Sequence, residues 1–159
     1  MPADMFLKLE GITGESHDSK HKGEIEILSC SWGASQMGTF AAGGGGGAGK
    51  VAFQDFHFTK VFDKATVELA KRCANGSHIP KGVFVARKAG GKQEEYLKVT
   101  FSDCLVSSVQ MAGSGADIVH DSISLNFAKI EMEYKEQKAD GSLAGAVTMS
   151  HDLKANKTT

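Results

Sequence analysis

The chain has 159 residues, 41% of them hydrophobic, and a formal net charge of −1; that length suits a single domain, residues 1–159, with a buried core. Charges of both signs are interspersed, and no basic run marks a surface that would follow nucleic-acid phosphates. No apolar run is long enough to span a bilayer, so membrane insertion is not expected.

The amino-terminal residues 1–9 lack the basic and apolar regions of a secretory signal peptide. We therefore expect synthesis and folding in the cytoplasm, which leaves later export open because some export machines read no amino-terminal signal.

Strand patterns dominate the chain. Strands are predicted at residues 5–10, 24–32, 51–62, 83–88, 96–111 and 118–134, with a last edge strand at 147–153. A turn at 89–92 joins the fourth strand to the fifth. A very Gly-rich loop is predicted at 34–50.

One segment, residues 64–74, has a helical pattern. Asp63 is a suitable N-cap, and Asn75-Gly76 supplies the carboxy-terminal stop. One helix among antiparallel strands predicts a mostly β fold, a barrel or a sandwich with an appended helix.

Within three predicted strands the apolar residues change parity. In the second strand the apolar positions are Ile25 and Ile27, then Leu28, Cys30 and Trp32. A period-2 element changes parity only at a bulge or bend, or where both faces are covered. Strong curvature is expected, with some strand faces covered by another subunit.

The chain offers two patterns that resemble nucleotide or metal sites. Gly44–Lys50 fits the start of a phosphate-binding P-loop, but Val51 stands where the hydroxyl belongs and a β pattern follows in place of a helix. His17 and His21 lie in what is predicted to be a flexible loop, so no metal site is assigned.

Carboxylates and cysteines give no stronger signal. Asp117, Asp121 and the pair at 94–95 are interpreted as solvated strand ends. The three cysteines are widely spaced and odd in number, and are interpreted as small buried apolar residues. No catalytic signature stands out, and no enzyme activity and no cofactor are predicted.

The chain resembles the Hcp family, the haemolysin-coregulated tube proteins of bacterial type VI secretion systems. The resemblance is carried in order along nearly the whole chain by DMFLK (4–8), GES (14–16), SWGASQ (31–36), GGGGGAGKV (43–51), QD (54–55), FTK (58–60), DK (63–64), RKAGG (87–91), EYL (95–97), LVSSV (105–109), SLNFA (124–128) and QKADG (137–141). It is weakest over residues 143–159.

This resemblance implies a small β-barrel of two antiparallel sheets with one helix outside. It implies a structural subunit that forms homohexameric rings, which stack into a tube exported by a contracting sheath. The implied partners are further copies of the chain, the spike and sheath components, and small effector proteins carried in the lumen. The implied destination is outside the cell.

Two sets of residues are candidates for these roles. Ser29 and Ser31 alternate with the apolar residues of the second strand and should point away from the core. The residues alone fit ordinary solvent-facing strand serines as well as a channel wall, and the resemblance favours the channel wall because it implies that this segment lies on the lumen side. The loop is predicted to order against the next ring through Met37, Phe40, Gly43, Gly44, Gly45, Gly46 and Gly47. Each subunit of a ring needs two different contact surfaces for its neighbours. One is expected on strand 118–134 and the other on the second and third strands.

Two other classes remain open at this point. A phosphate-binding enzyme would bind nucleotide through Lys50. A monomeric ligand-binding β-barrel would have a roomy apolar interior and would not form rings.

Overall fold

The fold is that of a computed structural model, which describes residues 3–38, 50–88 and 92–159. Strands and one helix follow in the order β1 Ala3–Leu9, β2 Ile25–Ile27, β3 Ser29–Ser31, β4 Ala34–Ser35, β5 Ala52–Phe53, β6 Phe56–Val61, α1 Lys64–Asn75, β7 Ile79–Lys88, β8 Glu95–Ser114, β9 Asp117–Gln137, β10 Leu143–Asp152 and β11 Lys157–Thr158. All strand pairs are antiparallel. The predicted class, mostly β with one helix, is confirmed.

The two longest strands, β8 and β9, form a ribbon that belongs to two sheets. Over residues 129–137, β9 pairs with β10 on the side away from β8, and over 120–125 it pairs there with β6. The hydrogen-bonded strands form one continuous nine-stranded sheet, which we describe as two sheets that share this ribbon: one has the order β3-β6-β9-β8 and the other runs β11-β10-β9-β8-β7-β1-β2. Strands β4 and β5 form a separate two-stranded sheet. The core lies between these two sheets and is centred on Phe56, Phe101 and Phe127.

The ribbon passes from one sheet to the other at a bend. In β8 the buried residues shift from Val99 and Phe101 to Cys104 and Val106. Asp103, between these two sets, has φ of 54°, in the left-handed region. The pattern in β9 shifts opposite this point, from Phe127 to Ile130. The parity change predicted for this strand is thus explained by a bend shared by both strands.

The predicted second strand is also broken by a bend, at Leu28. Before it, β2 pairs with β1, and after it, β3 pairs with β6. Ile25 and Ile27 are buried as predicted, but Leu28 is 53% exposed and Cys30 is exposed. The expectation that these two residues continue the core was wrong because the segment changes partner and becomes a sheet edge.

The helix α1 begins and ends at the predicted signals. The Asp63 side chain accepts a hydrogen bond from the Thr66 amide, and the Thr66 side chain accepts one from the Asp63 amide. This reciprocal pair is a capping box. Gly76, with φ of 70°, donates its amide hydrogen to the Arg72 carbonyl and ends the helix.

Candidate functional site

Ser29 and Ser31 both lie on the side of β3 away from the core, and both are exposed. Their neighbours across β6 are Thr59 and His57. Because directly opposed residues of antiparallel strands share a sheet face, these four side chains form one polar surface. The two serines thus point away from the core, as the alternation in the second strand predicted. Their contact with cargo stays a prediction.

The same surface continues across β9 and β8. His57 and Thr59 are opposite Ser124 and Ser122, which are in turn opposite Ser108 and Gln110. We call this surface the neutral face. It comprises Ser29, Ser31, His57, Thr59, Ser107, Ser108, Gln110, Ser122, Ser124 and Asn126. None of them is a lysine, arginine or carboxylate.

Hydrogen bonds between strands hold many of these side chains in place. The Ser29 and Thr59 hydroxyl oxygens are 2.5 Å apart, and His57 Nδ1 lies 2.9 Å from Ser124 Oγ. These contacts fix rotamers across the sheet, so the neutral face is preorganised.

A carboxylate beside the neutral face, Asp55, already accepts hydrogen bonds from two side chains of that face. Asp55 Oδ2 accepts a hydrogen bond of 2.6 Å from Ser107 Oγ, and Asp55 Oδ1 accepts one of 2.9 Å from Asn126 Nδ2. Ser107 is the extra residue of a bulge in β8, which turns its hydroxyl toward Asp55.

Beyond the bend at Asp103, the same side of the same strands is charged. Lys98 is opposite Glu133, and Lys135 Nζ lies 3.5 Å from Glu133 Oε1. Lys129 Nζ and Glu131 Oε1 are 3.0 Å apart. The outer side of the β8–β9 ribbon is therefore an ordinary solvated surface in one half and uncharged in the other.

The Gly-rich segment begins as a hairpin at the end of this sheet. Ala34 pairs with Phe53 and Ser35 with Ala52, and the Gln54 amide donates to the Gly33 carbonyl. Met37 is 77% exposed. Phe40 and Gly43 to Gly47 lie outside the described residues.

The Hcp model of type VI secretion system effectors matches residues 6–134 of the chain. The chain belongs to the Hcp family. It is 48% identical over 147 residues to Protein hcp1 of Pseudomonas aeruginosa, with 91% of each chain covered. Membership makes it a type VI secretion tube subunit.

Solved Hcp structures share the fold over almost the full length. The crystal structure of Hcp1 from Salmonella typhimurium is 38% identical with a TM-score of 0.82, covering 99% of this chain and 100% of the other. A structure of a type six secretion system protein is 30% identical with a TM-score of 0.94 and the same coverage. The Hcp resemblance, the two-sheet fold and the tube-protein function expected from it are confirmed.

This Hcp chain also contains a buried charged cluster that the sequence did not reveal. Lys60 Nζ donates to Asp63 Oδ1 at 2.7 Å and to Asp121 Oδ2 at 2.8 Å, and the Thr66 hydroxyl contacts both Lys60 and Asp121. Lys60 and Asp121 are 0% and 2% exposed. The interpretation of Asp121 as a solvated strand end was wrong, since the pairing of β6 with β9 encloses it.

His21 belongs to a second cluster, and the prediction that it lies in a flexible loop was wrong. Its ring is 6% exposed and stacks on Phe6 at 4.4 Å, and its nitrogens lie 2.9 Å from Glu24 and 2.8 Å from Glu95. Glu95 is thus a partner of His21, not a free strand end.

Arg87 fastens the same loop to β7. Its guanidinium donates to both oxygens of Asp18, at 2.9 and 2.6 Å, and lies 4.9 Å from the centre of the Phe6 ring. The hydrogen bonds from Arg87 lower the pKa of Asp18 to about 2. The contacts of His21 and Arg87 hold the loop against β8 and β7, and the Lys60 cluster joins β6, β9 and α1 on the core side of the sheet that bears the neutral face.

Residues 3–38, 50–88 and 92–159 include no helix with the length and hydrophobicity needed to cross a membrane.

Proposed function

We propose that the chain is a non-enzymatic subunit that closes into a homohexameric ring, with the neutral face lining the lumen. The observation that carries this proposal is that the outer side of the β8–β9 ribbon is charged on one side of Asp103 and uncharged on the other. A solvent-facing sheet surface normally mixes charges, as the half beyond Asp103 does. The uncharged half suits a channel wall, which must pass or hold a cargo without strong ionic trapping.

The edges of the neutral sheet support ring closure. Among the described residues, β3 pairs only with β6, and β8 beyond Cys104 has no strand on the side away from β9. Within the described residues, the sheet β3-β6-β9-β8 therefore has no further strand at either end, and α1 packs against β8. Free edges with complementary ends favour head-to-tail pairing of identical subunits, and such pairing can close a ring.

Strand directions fit this closure. The four strands alternate in direction, so β8 of one copy would meet β3 of the next in antiparallel orientation. Strand β9, which we expected at one ring face, is already paired on both sides over 120–125 and 129–134. The open edge belongs to β8.

Family membership supports the remaining partners in this proposal. In this proposal the lumen carries small effector proteins, the outside of the tube meets the sheath, and one tube end meets the spike. Export by that machine would take the chain out of the cell without a signal peptide.

The hairpin that begins at β4 and β5 would join one ring to the next. It continues the strand direction of the neutral sheet, so it would project along the ring axis. Shortening the run Gly43–Gly47 should leave rings intact and prevent stacking and secretion. Normal tubes and normal export of the shortened chain would show that this segment has no stacking role.

Negative-stain electron microscopy and light scattering of the purified chain test the ring itself. We expect uniform rings and a mass near six subunits at micromolar concentration. A monodisperse monomer at that concentration would contradict the proposal and favour a monomeric ligand-binding barrel.

A further inference from the structure

An apolar cavity of about 340 Å³ opens beside β3, with Ser31 among its lining residues, and reaches the core residues Phe56 and Phe101. Cys30 and Trp32 line its rim together with Leu97 and Met132, and its floor includes Phe101. A cavity of this size and lining in a free subunit leaves apolar surface in contact with water, which a partner's side chain could cover.

An exposed methionine lies at the other edge of the same sheet. Met111 is opposite the buried Asp121, and Val109 is opposite the buried Ile123, so both point to the core side of β8. Met111 is nevertheless 68% exposed. Its strand extends past β7 at this point and leaves the side chain without cover.

We propose that Met111 of one copy packs over the cavity beside Cys30 and Trp32 of the next copy. This inference rests on the proposed ring and adds the contact that seals its outer side. When β8 of one copy pairs with β3 of the next, residues on the core side of both strands become neighbours. Methionine suits this place because its unbranched, flexible side chain fills irregular apolar gaps.

Oxidative cross-linking of Met111→Cys to the native Cys30 tests the contact. Under mild oxidation, rings of this variant should give a ladder of covalent oligomers that extends to the full ring. Disulfide formation requires close Cα atoms and facing Cβ atoms, so cross-linking reports the strand face as well as the distance.

Gln110→Cys is the matched control. Gln110 is one residue away but lies on the neutral face, opposite Ser122, so it should give at least ten-fold less cross-linked product. Met111→Cys combined with Cys30→Ser should also give no ladder, which excludes Cys73 and Cys104 as partners.

A second pair of variants keeps the test decisive if oxidation distorts the rings. Met111→Asp should reduce the ring population at micromolar concentration at least ten-fold, whereas Thr100→Asp, in the charged half of the same strand, should leave it unchanged.

The outcomes separate this contact from the ring itself. Rings that form normally, with no Met111→Cys ladder and no loss in Met111→Asp, would overturn the contact while the ring proposal stands. An absence of rings in the wild-type chain would overturn both.

Discussion

Lys60 and Asp121 carry charges that are almost completely removed from water. The Lys60 ammonium group, on β6, is held by the N-cap carboxylate of α1, a carboxylate of β9 and a hydroxyl in the first turn of α1. Burying such a group is tolerable only when every partner is present. Lys60 therefore ties the helix to the neutral sheet.

Replacing Lys60 with methionine should be strongly destabilising. The aliphatic volume is kept, but Asp63 and Asp121 lose their counter-ion in a buried site, which lowers the free energy of unfolding by about 3–5 kcal/mol. Urea denaturation measures the change. Lys129→Met is the control, since Lys129 pairs with Glu131 at the surface and should cost less than about 1 kcal/mol. Equal losses of unfolding free energy in the two variants would show that the burial of Lys60 does not determine its contribution to stability.

The Asp18–Arg87 pair should make stability depend on pH in the acid range. The pKa of Asp18 is lowered from 3.8 to about 2 in the folded chain by its hydrogen bonds to Arg87, so the carboxylate stabilises the fold fully above its ordinary pKa. This contribution is lost as the pH falls from about 4 to about 2. The urea midpoints of wild type and Asp18→Asn should differ at neutral pH and converge over that window. A difference that stays constant down to pH 2 would contradict the assignment.

Neither cluster could be predicted from local sequence. Asp121 lies 61 positions from Lys60, and His21 lies 74 positions from Glu95. Only the strand pairing brings them together. A lysine on the same side of a strand as Phe56 and Phe58 was the one available signal, since an inward-facing lysine requires a buried counter-ion.

At the scale of elements, the bend in the β8–β9 ribbon creates both the fold and the site. It lets one ribbon serve two sheets, and it divides the charged outer surface from the neutral face. Asp103 makes the bend with its positive φ, and its carboxylate is held by His78 at 2.7 Å and Lys154 at 3.2 Å.

Two substitutions of Asp103 should separate the contribution of its backbone conformation to stability from the contribution of its charge. Asp103→Val places a β-branched side chain in the left-handed region and should lower the free energy of unfolding by about 1–2 kcal/mol more than Asp103→Asn does. Asparagine tolerates that region and removes the same charge. Chemical denaturation of both variants gives the comparison, and equal losses would mean that the ion pairs alone maintain the bend.

The elements differ in how far they could be predicted. The helix was predicted within one residue at its end because both of its caps are local signals at Asp63 and Gly76. Curvature was expected from the parity changes in the second and last strands. The exposure of Leu28 and Cys30 was missed, since it depends on which strand β3 joins after the bend.

At the scale of the whole molecule, the two sheets differ in what their outer sides can contact. The alternation in the second strand predicted Ser29 and Ser31 as outward-facing residues. The rest of the neutral face, such as His57 and Ser124, required the register of β6 against β9. A surface assembled from strands distant in sequence cannot be recognised from one strand, although the family resemblance indicated where it would lie.

Ser31 is the best position at which to test cargo contact within a ring. Its side chain is exposed on the neutral face, opposite His57. Ser31→Gln adds bulk without charge, so folding and ring assembly should be unchanged. A small effector held against this face should lose about 1–2 kcal/mol of binding free energy, the scale of a lost polar contact together with a steric clash. Pull-down of a cognate effector with purified rings measures the loss.

Thr100→Gln is the matched control, because Thr100 lies on the same side of the ribbon but in the charged half, opposite Glu131. This variant should recover as much effector as the wild type. If effector recovery is the same for wild-type, Ser31→Gln and Thr100→Gln rings, Ser31 does not contact the cargo. Loss in both variants would place the cargo outside the lumen.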